Sequence, residues 1–251
     1  MNIKNIVILT GAGISAESGI PVFRSETGLW ENHRVEDVAT PEGYVRNPDL
    51  VRKFYDDMRV NLRNVQPNTA HEALAGLARQ WKKGSVVLIT QNIDDLHERA
   101  GSPQVFHMHG ELKKLRCWEN AGGCGEVVSV EGPQDPQGEC PFCMKKGLLR
   151  PHIVWFGEIP LYMDEITASL SHADLFISIG TSGVVYPAAG FVRLARHAGA
   201  KTIEFNLEPS ATKGYFDGGV YGPAGRTLPD FVDRLLNSPE KTLEDICDGQ
   251  K

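Results

Sequence analysis

The stretch "NIVILTGAGISAESGIPVFR", residues 5–24, decides how this chain folds. Residues 5–10 are short, β-branched and almost wholly apolar. That pattern reads as a strand buried on both faces, as in a parallel sheet. Gly11 and Gly13 follow at once, and they permit a tight turn and close approach of the backbone to a pyrophosphate. A helix starting near Ser15 would offer its N-terminal N–H groups to the phosphates. Glycines also serve plain strand–helix turns, so a lone G-x-G is weak. Here it follows a strong strand, which favours nucleotide binding. The dehydrogenase fingerprint fits poorly, because the third glycine comes late, at Gly19. No second strand carries the acidic residue expected about 20 positions further on. Ordinary hydride transfer is thereby disfavoured.

Three more runs read as buried strands: "SVVLIT" (85–90), "LFISIGT" (175–181) and "KTIEFNL" (201–207). Helical patterns lie between them. Ala70, Ala73, Leu74, Leu77, Ala78 and Trp81 keep the i, i+3, i+4 spacing. "PAAGFVRLARHAG" stops at Gly199, and "LPDFVDRLLN" reads as a closing helix. The expected fold class is α/β, a Rossmann-type doubly wound parallel sheet with a smaller zinc-binding and helical module inserted. The large domain takes residues 1–30, 67–113 and 151–238. The small module takes 31–66, where "NPDLVRKFYDDMRVNLRN" reads as a polar-faced helix, and 114–150. Residues 239–251 read as a loosely held tail.

Composition narrows the function. The 251 residues are 41% hydrophobic and 23% charged, with a net charge of −6. That length suits one large domain with an insert, and the acidic balance argues against non-specific nucleic-acid binding. No apolar run approaches a membrane span. The opening residues run straight into the glycine turn, unlike a signal peptide. A cytoplasmic protein without a membrane partner is expected.

Four of the five cysteines, Cys117, Cys124, Cys140 and Cys143, are spaced C-x6-C-x15-C-x2-C. Four thiolates satisfy tetrahedral zinc, and a site so closed is structural. The first half-site is looser than usual, and unrelated buried cysteines are the plainer alternative. The adjoining stretch "VFHMHGELKKLRC" (105–117) holds His107 and His109, which share one side of a strand. They could grip a metal together, or one could do acid–base chemistry.

Several segments together resemble the sirtuins, the NAD-dependent protein lysine deacylases. They are "GAGISAESGIPVFR", "TQNIDDLHERAG", "HMHGEL", the cysteine cluster, "RPHIVWFGE", "GTSGVVYPAA" and "FNLEP", in family order from about residue 3 to about residue 236. "HRVEDVATPEGY" looks most like the bacterial and mitochondrial class III branch. The resemblance implies NAD as co-substrate, structural zinc, and acyl-lysine proteins or peptides as partners. It implies attack by the acyl oxygen on C1′ of the nicotinamide ribose, releasing nicotinamide, free lysine and O-acyl-ADP-ribose.

The resemblance also implies roles. His109 is the general base, with Asn92 and Asp94 orienting the ribose and nicotinamide amide. Gln91 contacts ribose hydroxyls, and Ile93 belongs to the same loop. Gly11, Ala12, Gly13, Ile14 and Glu17 belong to the dinucleotide turn. Phe23 shields the reactive ribose face, Arg24 holds the loop or a phosphate, and Trp30 borders them. Gly180, Thr181 and Ser182 line the ADP-ribose site. Asn206, Leu207 and Glu208 sit near the adenosine ribose, and Ala224 near adenine. Val154, Trp155, Phe156, Gly157 and Glu158 pair as a strand with the substrate peptide.

The acyl pocket departs from the class III pattern, which reads an acidic acyl group with a tyrosine and an arginine three residues later. Tyr55 is present, but Met58 stands at the third position and Arg59 one further. Arg59 shares the face of Tyr55 and could substitute. Asp56 and Asp57 add negative charge, and methionine suits a neutral chain. The expected activity is deacetylation or removal of other neutral acyl groups by a monomer. An NAD glycohydrolase, a mono-ADP-ribosyltransferase and a non-catalytic NAD-binding module stand as rivals. A metal hydrolase built on His107 and His109 is the weakest reading.

Overall fold

The computed structural model describes residues 3–22, 29–30 and 33–248. Its strands are β1 (Ile6–Thr10), β2 (Leu29–Trp30), β3 (His33–Arg34), β4 (Val86–Thr90), β5 (Val105–His107), β6 (Gly110–Cys117), β7 (Val127–Ser129), β8 (Leu149–Ile153), β9 (Leu175–Ile179), β10 (Lys201–Asn206) and β11 (Gly218–Tyr221). The α-helices are α1 (Val35–Val38), α2 (Pro41–Arg46), α3 (Pro48–Leu62), α4 (Thr69–Gln80), α5 (Leu96–Arg99), α6 (Met163–Ser171), α7 (Phe191–His197), α8 (Ala224–Asn237) and α9 (Pro239–Asp248).

Six strands form one parallel sheet in the order β11-β10-β9-β1-β4-β5. All five residues of β1 are buried. Ile6 and Ile8 face a core shared with Leu74 and Leu77 of α4 and Phe231 and Leu235 of α8. Val7 and Leu9 face the opposite core, with Ile166 and Leu170 of α6 and Phe191 and Val192 of α7. The uniform apolar run of β1 follows from helices covering both faces. The chain winds outward from β1 through β4 to β5, then returns to β9 and winds the other way. The C-terminal ends of β1 and β9 therefore flank the switch point, where α/β sheets open a ligand crevice.

A second, antiparallel sheet, β7-β6-β8, carries the cysteines. Helix α3 packs beside it. Val38, Tyr44, Phe54, Tyr55, Leu112, Ile153 and Trp155 form the core that joins them.

Four expected strands match β1, β4, β9 and β10. Edge strands β5 and β11 are three and four residues long, too short to register as buried runs. The closing helix starts at Ala224, a turn before Leu228. Pro229 lies inside it and cannot donate to the Gly225 carbonyl. Thr69 Oγ1 donates to that oxygen instead, at 2.6 Å. The segment expected as a loose tail is α9 over residues 239–248. Leu243 is buried in the main core and Ile246 packs against it. The interspersed charges Glu240, Lys241, Glu244 and Asp245 mask that short apolar stripe.

Candidate functional site

The turn after β1 differs from expectation. No α-helix begins near Ser15; two 3₁₀ turns, Ala12–Ile14 and Ala16–Ser18, take its place. Close packing of two chain segments explains them. Gly180, at the end of β9, has φ +61°, and a Cβ there would lie 2.5 Å from the Ile14 nitrogen. A Cβ on Gly13 would lie 2.6 Å from Gly180 Cα. Gly13 N–H donates to the Gly180 carbonyl at 2.9 Å. The two glycine turns interlock across the switch point, leaving the backbone bare where a pyrophosphate can approach.

A cleft of about 840 Å³ opens there, between the sheet and the small module. Among the residues expected at the NAD site, Gly11, Ala12, Gly13, Glu17, Trp30, Gln91, Asn92, Ile93, Asp94, His109, Gly180, Thr181, Ser182, Asn206, Leu207 and Ala224 line it. Ile14 does not, because its side chain is fully buried in the core. Glu208 lies outside the lining. Phe23 and Arg24 lie outside the described residues.

In the cleft wall sits a hub that the sequence reading missed, Ser15. Its hydroxyl donates to Asp94 Oδ2 at 3.0 Å and accepts from Asn92 Nδ2 at 3.1 Å. His71 Nε2 approaches it at 3.4 Å. The Asn68 N–H donates to His71 Nδ1 in the capping box of α4. That fixes the proton on Nε2, which points at Ser15. Burial pushes His71 down to about 4, so it stays neutral. Asp94 also accepts from the Leu96 N–H at 3.1 Å. Burial pushes its carboxyl upward against these hydrogen bonds. The signal for Ser15 lay in its position within the glycine turn, but a serine there looks like a turn former.

The two histidines part company. His107 ends β5, and the chain turns at Met108 and His109 before β6. His109 lines the cleft and places Nδ1 3.1 Å from the Gln91 carbonyl. An amide oxygen only accepts, so Nδ1 carries the proton and Nε2 keeps a lone pair. Burial holds His109 below its ordinary pKa. His107 is buried between the Asn92 carbonyl and Glu98. Neither belongs to a metal-ligating cluster among the described residues.

Such a cluster is formed by Cys117, Cys124, Cys140 and Cys143, whose sulfurs all lie within 4.8 Å of one another. The Cys117–Cys143 and Cys124–Cys140 sulfurs are each 3.7 Å apart. Tetrahedral Zn–S bonds of about 2.3 Å require an S···S edge of about 3.8 Å. The donor set and its spacing fit zinc, and with four protein ligands the metal has no open position.

The side of the cleft formed by the small module is apolar. Met58, Leu62, Val65, Leu112, Ile153 and Ala39 line it. Tyr55 is fully buried behind this wall, its hydroxyl accepting from Trp155 Nε1 at 3.0 Å. Arg59 does not reach the cleft. Its Nε donates to the Leu112 carbonyl at 2.9 Å, and Nη1 serves Asp56 and the Gly132 carbonyl. Being one residue past Met58, it rotates away from the pocket and becomes a strut between α3, β6 and the 131–137 loop. Val154, Trp155, Phe156, Gly157 and Glu158 all border the cleft, yet they form no strand. The N–H groups of Val154, Trp155 and Phe156 already donate to the His109 carbonyl, Glu158 Oε2 and the Ala39 carbonyl. Glu158 is held by Arg150 at 2.6 Å.

Comparison with known proteins points to one family. A profile described as the Sir2 family matches residues 11–187. The NAD-dependent protein deacylase of Salmonella typhimurium (strain LT2) is 54% identical over 238 residues, covering 94% of this chain and 85% of its own. A Sir2 homologue mutant solved with ADP-ribose superposes with a TM-score of 0.84 at 39% identity, covering 95% of this chain and 94% of that one. A Sir2 structure bound to a myristoylated histone peptide gives 0.70 at 34% identity, with coverage of 95% and 94%.

Proposed function

This chain belongs to the Sir2 family and is an NAD-dependent protein deacylase, and we propose that it removes neutral acyl groups from lysine side chains beside His109. The observation that carries the proposal is the state of that ring. It is neutral, its Nδ1 proton is committed to Gln91, and its Nε2 lone pair is kept at the wall of the cleft. A positioned neutral imidazole is a general base.

NAD, when bound, supplies an electrophilic ribose carbon and a nicotinamide leaving group. With both substrates bound, the acyl oxygen would bond to the ribose C1′ as the bond to nicotinamide breaks; His109 Nε2 would then accept a proton from a ribose hydroxyl, freeing that oxygen to attack the acyl carbon. Asn92 and Asp94, locked through Ser15, orient the ribose and the nicotinamide amide. Gln91 contacts ribose hydroxyls. The bare backbone at Gly11, Gly13 and Gly180 takes the pyrophosphate, with Thr181 and Ser182 beside it. Asn206 takes the adenosine side, and Glu17 fastens that rim through its bond to the Gly225 N–H at 2.8 Å. One water is consumed in releasing the amine, so the products are free lysine, nicotinamide and O-acyl-ADP-ribose.

Charge supports a neutral acyl group. Among the described residues, no lysine or arginine lines the cleft, whereas Glu17, Asp94 and Glu158 do. Succinyl or malonyl would meet no countercharge among the described residues of the lining, because Arg59 is spent elsewhere. Zinc on the four cysteines braces the small module and takes no part in bond making. Thiolates kept for zinc suit a reducing compartment, which supports a cytoplasmic location, and the chain is taken to act as a monomer.

Mass spectrometry of a reaction with NAD and an acetyl-lysine peptide tests the proposal. Deacetylated peptide and O-acetyl-ADP-ribose should form in equal amounts. Free ADP-ribose with intact acetyl-peptide would instead indicate an NAD glycohydrolase.

A further inference from the structure

His107 is buried at the end of β5, 4% exposed, and the reaction as described gives it no task. Its ring stands between two acceptors. Nδ1 is 3.1 Å from the Asn92 carbonyl and Nε2 is 2.7 Å from Glu98 Oε1. Neither partner can donate as a carbonyl or a carboxylate, so only the imidazolium, with N–H on both nitrogens, satisfies both. The Asn92 peptide is thereby gripped at each end. Its N–H donates to Thr90 Oγ1 at 3.0 Å, its carbonyl accepts from His107, and its side chain donates to Ser15. His109 holds the preceding carbonyl, that of Gln91. Two histidines of one stretch thus pin consecutive carbonyls of the loop that carries Asn92 and Asp94.

We propose that His107, charged and paired with Glu98, is a positioning residue for the 91–94 loop, and that loss of its proton ends turnover on the alkaline side. A neutral His107 has a single N–H. Whichever nitrogen keeps it, the other turns a lone pair toward the Asn92 carbonyl or the Glu98 carboxylate, and one clamp opens. The groups facing His107 come from four elements: Glu98 and His97 from α5, Glu111 from β6, His152 from β8, and Asp94 from the loop itself. Burial opposes the cation, but the Glu98 and Glu111 carboxylates outweigh it and raise the pKa above the ordinary value. Burial keeps His97 and His152 neutral, so they do not compete for the charge. His109 is shifted the opposite way. Activity should therefore rise with pH as His109 loses its proton and fall as His107 loses its own.

The inference rests on His109 and the 91–94 loop serving the reaction. The test is the pH profile of kcat and of kcat/KM for NAD, with a saturating acetyl-lysine peptide, in wild type, Glu98→Gln and His107→Asn. Melting temperatures and an NMR titration of the His107 ring accompany it. Glu98 is nearly half exposed, so its amide variant should fold. In Glu98→Gln the amide N–H can donate to Nε2 of a neutral ring, so the alkaline limb should disappear while the acid limb stays. His107→Asn keeps an N–H able to reach the Asn92 carbonyl but cannot titrate. It should lose the alkaline limb and raise KM for NAD with little change in KM for peptide. An alkaline limb that persists in either variant overturns the proposal. So does a His107 ring that titrates below free histidine, a result readable even without turnover. Failure of the deacylase reading looks different: no peptide-dependent turnover at any pH.

Discussion

Ser15 and His109 carry different loads, and their variants should separate. His109→Ala removes the proposed base without disturbing the hub, so kcat should fall about 100-fold or more while the protein stays folded. Ser15→Ala leaves Asp94 and Asn92 each short of a buried partner. Unfolding by urea should show a loss of about 1–3 kcal/mol, with weaker NAD binding. Met58 is the residue where acyl choice is open to change. Met58→Arg puts a guanidinium on the cleft wall that Arg59 cannot reach. It should raise turnover of a succinyl-lysine peptide relative to a butyryl one; an unchanged ratio would mean Met58 does not face the acyl chain. That His109, Asn92 and Asp94 meet at the cleft was legible in the sequence, because their motif is specific. Ser15 and the strut at Arg59 were not, because side-chain direction on a turn or a helix depends on which neighbours arrive from elsewhere in the chain.

At the scale of elements, two joints hold the site. One is the interlock of the turns after β1 and β9. Gly180→Ala adds a methyl 2.5 Å from the Ile14 nitrogen at positive φ, so it should abolish NAD binding measured by calorimetry, whether or not the sheet survives. The other joint is the clamp of α3 to the zinc module. Asp56 accepts from the Gln134 N–H and pairs with the buried Arg59. Asp56→Ala should cost about 3 kcal/mol in urea unfolding, because it leaves Arg59 buried without its countercharge. Strands β1, β4, β9 and β10 could be read directly, since continuous apolar runs are their signature. The glycine turn was legible as a turn but not as two 3₁₀ turns, since the partner that dictates its shape, Gly180, lies far along the chain. Helix α9 was missed for a related reason: its apolar stripe has meaning only against β11 and α8.

For the whole molecule, buried histidines set the response to acid. Burial pushes His71 and His152 down to about 4, and His97 also lies well below its ordinary value. Unfolded histidine titrates near 6.5, so between about 4 and 6.5 the unfolded chain binds more protons than the native one. These residues contribute stability above pH 6.5 that is lost as the pH falls. His107 has the opposite sign: its contribution is present below 6.5 and lost as pH rises through its raised pKa. The melting temperature should therefore drop steadily from pH 6.5 toward 4, and a flat profile would mean the three rings are not buried neutral. Zinc bears on the same whole, since four thiolates without metal would free the β6–β8 sheet and, through Asp56 and Arg59, the apolar wall of the cleft.

The central claim is that NAD cleavage here depends on an acyl-lysine and on His109. Nicotinamide release by the purified protein measures it directly, with NAD alone and with acetyl-, butyryl- and succinyl-lysine peptides, wild type beside His109→Ala. Release that requires a neutral acyl peptide and vanishes in the variant is the predicted result. Release that proceeds with NAD alone would contradict the claim, and a succinyl preference would contradict the account of Met58 and Arg59.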